Sequence, residues 1–344
     1  MQIFETIQKL CNAPSASGFE HTAARRAALV LERYVDEVRT DALGNVIGIR
    51  RSGRANAKCV LLDAHIDEIG LIVTGYDGNF LRFSTLGGVD PRMLPAREVL
   101  VLTDTPIHGV ITCLPPHVQE VADMNASFPI DKLHIDLGIK NPAARVPVGT
   151  PVVYSADTIK LENDFISGRA MDDRAGFVAL LHTLERLKGR RLAVDVVVVG
   201  SVQEELGCRG ATVAGFSVAP DLAIAVDVTH GTTPDAGAPK TFETGSGVAI
   251  GIGPSLNRKV SNALTRIARD RKIKYTLEVM EGDTSTNAWP LAVTREGVPT
   301  GLLSLPLKYM HTPFETLREC DIKAVSRLLA EYLLTLGSEV PRHV

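Results

Sequence analysis

The sequence predicts an α/β protein in which a mostly parallel sheet is sandwiched by helices and carries a β-rich insertion. Apolar segments of strand length alternate with amphipathic segments of helix length in the first and last parts of the 344-residue chain. Residues from about 70 to 162 differ, because short strand-like segments there are separated by glycine, proline and aspartate. We therefore expect an α/β domain made of residues 1–69 and 163–344, with residues 70–162 as an inserted β-rich domain.

Four segments outside the insertion are predicted to be helices. Ser17 and Glu20 have the spacing of a capping box, and the apolar periodicity that follows predicts a helix directly after them. The second helix opens with acidic residues and ends with basic ones, as the helix dipole favours. The second, third and fourth predicted helices span residues 171–190, 261–273 and 322–336.

Five apolar or alternating segments in the same regions are predicted to be strands. The valines at 196–199 form the most apolar of these segments, so this strand is expected to be buried on both faces. Alternation of strands with helices predicts crossover connections and therefore parallel pairing. The predicted strands begin near residues 45, 59, 192, 221 and 299.

The composition disfavours a nucleic-acid or membrane partner. The net charge is −3 and the basic residues are scattered, so no basic field is available for nucleic acid. No segment approaches the ~20 apolar residues that cross a membrane. Five widely spaced cysteines without a CxxC pair argue against disulfides and a thiolate metal site. The N-terminal residues lack a continuous apolar run, so we expect no secretory signal and a cytoplasmic protein.

Histidines and acidic residues follow the predicted strands at their carboxyl ends. Ligands of open α/β sheets bind at this edge, so five separate segments deliver such side chains to one place. Each residue alone has an ordinary structural explanation, such as a helix cap, a turn acid or a solvated glutamate pair. Their joint occurrence is better explained by a shared site. The residues concerned are His65, Asp67, Asp172, Asp173, Glu204, Glu205, Asp227 and His311.

Imidazoles and carboxylates without cysteine suit zinc, cobalt, manganese or iron. This set exceeds the ligands of one tetrahedral ion and is typical of two metal ions ~3.5–4 Å apart that share a carboxylate. Asp63, inside its strand, is expected to pack or hydrogen-bond rather than to bind metal. Five further histidines are not expected to be ligands either, and these are His108, His117, His134, His182 and His230.

Six segments resemble, in the same order, the motifs of the tetrahedral (TET) aminopeptidases. They are SGFE (17–20), DAHIDEIG (63–70), GRAMDDRAG (168–176), VQEELGCRGA (202–211), AVDVTH (225–230) and VPTGLLSLPLKYMHTPFE (298–315). The resemblance runs nearly end to end and implies a zinc-peptidase-like α/β fold with a PDZ-like insertion. It also implies peptide substrates, two divalent ions per subunit, zinc or cobalt, and self-association into a homo-oligomer, often a dodecamer.

The resemblance further implies a role for each matched residue. His65 and Asp227 would bind one metal ion, Glu205 and His311 the other, and Asp172 would bridge both. Such a centre would hold the ions that activate the attacking water.

Other matched residues would act without binding metal. Glu204 would be the general base that takes a proton from the metal-activated water, and Asp67 would orient the first histidine. Asp173 directly follows the bridging aspartate and would lie next to a strained peptide bond. Asn287 replaces the aspartate of the family's Thr-Asp-Ala segment and Ala292 replaces a nearby glutamine, so the resemblance leaves the substrate preference open.

The favoured function is the dinuclear metal-dependent release of N-terminal amino acids from peptides. A deacetylase with a similar two-metal site is an alternative. A glycoside hydrolase is another, but it needs two carboxyl groups ~5–9.5 Å apart and would leave the histidines unused. A single tryptophan is also poor for stacking on sugars. A non-catalytic protein on the same scaffold is disfavoured, because every ligand position is present.

Overall fold

Helices and strands alternate along residues 1–118, 129–236 and 240–337, which this computed structural model describes. The helices are α1 Ile3–Cys11, α2 His21–Leu31, α3 Met171–Arg186, α4 Arg209–Val218, α5 Arg258–Asp270, α6 Ala288–Val293 and α7 Glu319–Thr335. The strands are β1 Glu37–Thr40, β2 Val46–Arg50, β3 Cys59–His65, β4 Gly70–Asp77, β5 Phe80–Leu86, β6 Glu98–Val101, β7 Ile107–Ile111, β8 Ile135–Asp136, β9 Pro151–Tyr154, β10 Ile159–Lys160, β11 Phe165–Gly168, β12 Asp195–Ser201, β13 Leu222–His230, β14 Val248–Ile252, β15 Tyr275–Val279, β16 Thr300–Leu307 and β17 Glu315–Arg318.

The main sheet has eight strands in the order β1-β2-β12-β3-β13-β16-β14-β15. Its four central strands, from β12 to β16, are parallel to one another. Antiparallel pairs join β2 to β12 and β14 to β16, so the antiparallel connections lie toward the edges. A separate three-stranded sheet in the order β10-β11-β17 leads into the start of α3. The predicted mostly parallel α/β sheet is confirmed.

Helices cover both faces of this sheet. Val196 and Val198 of β12 point into the core that includes α1, α3, α5 and α7. Val197 and Val199 point to the opposite core, which contains residues of α4 and α6. The alternation follows from the two-residue period of a strand, and the run of valines is needed because both faces are buried. In the described part of the chain, no helix is long and apolar enough to cross a membrane.

The β-rich insertion forms a closed barrel in the order β4-β5-β8-β7-β6-β9. The barrel has its own apolar core, to which Leu71, Leu81, Val99 and Ile135 contribute fully or almost fully buried side chains. Closure pairs every strand on both sides and so leaves no open sheet edge. The expected β-rich insertion in an α/β fold is therefore present.

The predicted capping box at the start of the first amphipathic helix is wrong. The side chain of Glu20 does not reach back to Ser17, and α2 begins one residue after it, at His21. One carboxylate oxygen of Glu20 instead accepts hydrogen bonds from the backbone N–H of Gly18 at 2.6 Å and of Gln203 at 3.0 Å. A tertiary contact with the segment after β12 has replaced the local cap.

Gly210, the second residue of α4, allows a close approach of three segments. Its N–H donates to the carbonyl oxygen of Val202 at 2.9 Å, and its carbonyl accepts from Nδ2 of Asn45 at 3.0 Å. A Cβ atom at Gly210 would lie 2.2 Å from the Val202 oxygen and 2.5 Å from Oδ1 of Asn45. The first is a backbone atom and the second accepts a hydrogen bond from the N–H of Val202 at 3.0 Å, so a methyl group cannot be accommodated without moving backbone or breaking that bond.

We expect Gly210→Ala to lower the free energy of unfolding by about 1–3 kcal/mol through overpacking. Urea unfolding followed by circular dichroism measures this change. Gly75→Ala in β4 is the control, because a Cβ there meets no heavy atom within 4 Å. Equal stability of the two variants would contradict the prediction.

Candidate metal centre and active site

Six side chains form the candidate metal centre at the carboxyl edge of the parallel strands. They fall into three overlapping groups, and within each group the potential ligand atoms lie within 4.8 Å of one another. The groups are His65 with Asp172 and Asp227, His65 with Glu204 and Glu205, and Asp172 with Glu205 and His311. The structure thus brings together all five residues predicted as ligands, and the predicted base with them.

Strand register explains this convergence. Ser201, the last residue of β12, is in register with His65, the last residue of β3, so the segment after β12 leaves the sheet beside that histidine. Ala225 of β13 is in register with Asp63, which places Asp227, two residues farther along, level with His65. Because adjacent parallel strands end at one edge, side chains that are distant in sequence meet there.

Asp172 lies between the two histidines of the centre. Its Oδ1 is 2.9 Å from Nε2 of His65, and its Oδ2 is 3.4 Å from Nε2 of His311. These two distances show that each carboxylate oxygen of Asp172 faces a different histidine, which is the arrangement that a bridging ligand requires. The peptide bond between Asp172 and Asp173 is cis.

Asp67 contacts both the ring of His65 and the segment that carries the two glutamates. Its Oδ1 is 3.3 Å from Nδ1 of His65, which leaves Nε2 of that ring directed at Asp172. The carboxylate of Asp67 also accepts hydrogen bonds, each 3.1 Å, from the backbone N–H groups of Glu204 and Glu205. A carboxylate held in this way fixes the orientation of a histidine that binds metal.

His311 receives contacts from both the α/β sheet region and the barrel. Its Nε2 is 3.2 Å from Oε1 of Glu205, and its Nδ1 is 3.0 Å from the carbonyl oxygen of Gly88, after β5. The buried carboxylate of Glu315 accepts from the backbone N–H of His311 at 2.9 Å and of Asp172 at 3.1 Å. Glu315 was not predicted, although its position four residues after His311 within a matched motif was a signal.

A buried ionic cluster holds together the two segments that carry His65 and Asp172, and this cluster was also not predicted. The carboxylate of Glu68 forms ion pairs with the guanidinium groups of Arg169 and Arg174. Arg174 additionally donates from Nε to the carbonyl oxygen of Ile66 at 2.8 Å. These contacts connect the end of β3 to the start of α3, and so fix the histidine of one element relative to the aspartate of the other.

The electrostatics of the centre favour binding of cations. Burial raises the pKa of Asp227 well above its ordinary value, and the neighbouring carboxylates of Asp172 and Glu204 add to the rise. Burial likewise raises the pKa of Glu205. Imidazole nitrogens and carboxylate oxygens, without thiolates, form a donor set that divalent ions such as zinc and cobalt accept. The residues present therefore fit such ions.

Glu204 differs from Glu205 in its surroundings. Its Oε1 accepts a hydrogen bond from the thiol of Cys208, with 3.2 Å between Sγ and the oxygen. Burial raises the pKa of Glu204 to about 7, and the charge of Glu205 contributes to this rise while His65 opposes it. A carboxyl group with such a pKa can both accept and release a proton near neutral pH.

A cavity of about 870 Å³ opens beside the centre. Besides the six residues of the three groups, it is lined by polar and apolar side chains from β13, β15, α4, α6 and the segment after β16. Asn287 and Ala292 are not among the lining residues. Asn287 is buried and donates from Nδ2 to Oδ2 of Asp63 at 2.7 Å and to Oγ of Ser201 at 2.9 Å. Asp63 therefore has the hydrogen-bonding role that was predicted for it.

The other histidines stand outside the three groups in the described part of the chain. His230 lines the cavity, but it belongs to none of the groups. Those that were predicted not to bind metal are His108, His117, His134, His182 and His230.

Two histidines and four carboxylates meet at the carboxyl edge of a mostly parallel sheet, beside an open cavity, which is the place where α/β enzymes bind their ligands. The chain belongs to the M42 glutamyl aminopeptidase family, whose sequence pattern matches residues 44–328. It is therefore a hydrolase of peptide bonds, and the resemblance to the TET aminopeptidases is confirmed.

Individual relatives cover the chain almost completely. The lysyl aminopeptidase of Pyrococcus furiosus is 33% identical in an alignment of 340 positions that covers 95% of this chain and 97% of that protein. The solved aminopeptidase APDkam598 from the archaeon Desulfurococcus kamchatkensis has a TM-score of 0.91 and 32% identity, with 98% of this chain and 96% of that chain covered. The TET1 peptidase of Pyrococcus horikoshii has a TM-score of 0.85 and 29% identity, with 97% and 100% covered.

Proposed function

We propose that the chain is a dinuclear metal-dependent aminopeptidase that releases N-terminal amino acids from peptides. The observation that carries this proposal is the position of Asp172, whose two carboxylate oxygens face Nε2 of His65 and Nε2 of His311 separately. Membership of an aminopeptidase family supports the reaction, and the donor set of the centre supports zinc or cobalt.

The three groups suggest which residues would hold each ion. His65 and Asp227 would bind the first, Glu205 and His311 the second, and Asp172 both. When bound, the ions would supply Lewis acidity, which acidifies water and stabilises negative charge on the scissile carbonyl oxygen.

Glu204 would then act as the general base and acid of the reaction. It accepts a proton from the attacking water and delivers that proton to the leaving amine, for which a pKa of about 7 is well matched. Asp67 would hold the ring of His65 and the backbone of the glutamate pair in place. Proton transfer by a positioned side chain accelerates such reactions by about 10²–10⁴-fold.

The insertion would serve self-association. Residues 70–162 include a closed barrel with its own core, which supports the proposal that this range is a distinct domain. The TET1 peptidase of Pyrococcus horikoshii can assemble into a tetrahedron or a large octahedral shell, and we extend the capacity for homo-oligomer formation to this chain. Light scattering of the purified protein measures the number of subunits.

Metal depletion and substrate comparison test the proposed function. Chelation should abolish hydrolysis of aminoacyl p-nitroanilides, and zinc or cobalt should restore it. The same substrates with an acetylated α-amino group should not be cleaved, because an aminopeptidase requires the free amine. Release of acetate from acetylated substrates would instead support a deacetylase, and cleavage of cellulose would support a glycoside hydrolase.

Metal binding is expected to release protons and to strengthen as the pH rises. Burial alone would lower the pKa of His311, but hydrogen bonds to Asp172 and Glu205 raise it to about 11. Burial also opposes charge on His65, but Asp172 and Asp67 raise its pKa well above the ordinary value. We therefore expect both rings to be protonated in the metal-free protein at neutral pH, whereas a metal ion needs the neutral ring.

Calorimetric titration of zinc into metal-free protein, in two buffers that differ in ionisation enthalpy, measures the released protons. The apparent affinity should fall as pH falls, because protons compete for the two rings. His311→Ala should release fewer protons than the wild type. Identical heats in both buffers would contradict the prediction.

A further inference from the structure

One carboxylate in the cavity has no part in the candidate metal centre. Glu278, on β15, lines the cavity and is 8% exposed. Its Oε2 accepts a hydrogen bond of 2.7 Å from Oγ of Ser304, and its Oε1 accepts one from the hydroxyl of Thr229. Both oxygens of this buried carboxyl group therefore have hydroxyl partners, and neither partner carries a positive charge.

No lysine or arginine among the described residues of the cavity wall pairs with Glu278. Among the described residues that line the cavity, none is lysine or arginine, whereas Asp283 at its exposed rim adds a further acidic group. Burial raises the pKa of Glu278, which the hydroxyls of Ser304 and Thr229 and the charge of His230 lower only in part. A buried carboxylate without a charged partner binds an incoming cation favourably, because the desolvation of the acid has already occurred.

The distance from the metal centre indicates which cation Glu278 would meet. Thr229 follows Asp227 by two residues on β13, so their Cα atoms are about 7 Å apart on the same face of the strand. The α-amino nitrogen of a substrate lies only about 2.5 Å from the scissile carbonyl carbon. The ammonium of a lysine side chain lies about 6 Å from its Cα, which is comparable to the spacing along β13 between Asp227 and Thr229, the hydroxyl partner of Glu278.

The cavity also offers apolar surface for the stem of such a side chain. Met280, Trp289, Pro290 and Met310 contribute apolar surface to the same cavity. Long basic side chains bury their methylene groups against apolar surface and place the charged group on a polar partner. An acidic side chain would instead meet the uncompensated charge of Glu278.

We propose that Glu278 selects peptides whose N-terminal residue is lysine or arginine. The proposal rests on the aminopeptidase function proposed above and names the substrate class of that site. Glu278 is a specificity-determining residue in this proposal and takes no part in proton transfer.

The test compares substrates that differ only in the side-chain charge. Norleucine has the carbon chain of lysine without the ammonium group, so lysine and norleucine p-nitroanilides form a matched pair. We expect kcat/KM for the lysine substrate to exceed that for norleucine about tenfold to one-hundredfold, and the glutamate substrate to be slowest. Glu278→Gln should reduce the lysine-to-norleucine ratio about tenfold or more.

Glu281→Gln is the matched control. Glu281 is exposed, is not among the lining residues and undergoes the same loss of charge, so the ratio should stay at the wild-type value. The glutamine at 278 can still bond to Thr229 and Ser304, whose hydroxyls rotate to accept as well as to donate. Equal ratios in the two variants, or a wild-type enzyme that does not prefer lysine, would overturn the proposal.

Binding of the free amino acids separates this proposal from the catalytic one. L-lysine and L-norleucine are titrated into wild-type protein and Glu278→Gln by calorimetry, which requires no turnover. The comparison of the two amino acids in the wild type does not depend on whether the variant folds. Tighter binding of lysine by about tenfold, lost in the variant, would support the selectivity even if no peptide were hydrolysed. Equal affinities for both amino acids in the wild type would refute it.

Discussion

Glu204→Gln is expected to lower kcat by about 10²–10⁴-fold, because glutamine cannot take a proton from water. The change is isosteric, and the backbone N–H of residue 204 keeps its hydrogen bond to Asp67. The metal content should stay at the wild-type value, since the proposed ligands remain. Steady-state kinetics and elemental analysis of the same preparation measure both quantities.

The control for this variant is Glu281→Gln, an exposed position outside the cavity lining that should retain wild-type kcat. Retained activity in Glu204→Gln would show that another group transfers the proton. Loss of metal together with activity would instead show that Glu204 is a ligand, as its membership of one of the three groups permits.

Asp172→Asn is expected to reduce the metal content more than any other single ligand change. Asp172 belongs to two of the three groups, and its two oxygens face different histidines. An amide has one oxygen acceptor and no charge, so it cannot replace a bridging carboxylate. We expect zinc per chain to fall from about two to below one, with loss of activity.

His311→Ala removes a ligand of only the second ion, so about one zinc per chain should remain in that variant. His230→Ala is its matched control, because His230 lines the cavity outside the three groups and should leave the content at about two. Asp283→Asn, at the exposed rim, is the corresponding control for Asp172→Asn. Equal metal loss in Asp172→Asn and His311→Ala would argue against a bridging aspartate.

The parallel sheet could be predicted because its signals are local. The valines of β12 and the amphipathic period of α3 and α7 depend only on neighbouring residues in the chain. The sequence patterns missed helices α1, α4 and α6 and strands β1, β11, β14, β15 and β17, and the predicted capping box before α2 was wrong. In that last case Glu20 bonds to Gln203, a partner far away in the sequence that no local pattern reveals.

For the site, the convergence of its residues could be predicted from local signals, but their individual contacts could not. Parallel strands end at one edge, so the positions of His65 and Asp227 after buried strands already indicated that they converge. Local patterns contained no sign that Gly88 of the barrel segment would meet His311 or that Glu315 would hold two backbone N–H groups. The roles of the two adjacent glutamates likewise came from the family resemblance.

By itself, the sequence determined the α/β class, the β-rich insertion and the set of side chains at the carboxyl edge, since periodicity and strand ends are properties of short segments. Only the tertiary structure decided which oxygen of Asp172 faces which histidine. It also decided that Asn287 is buried beneath the cavity while Glu278 lines it. These facts depend on the register and packing of segments far apart in the chain, which bring side chains together at distances that no local pattern encodes.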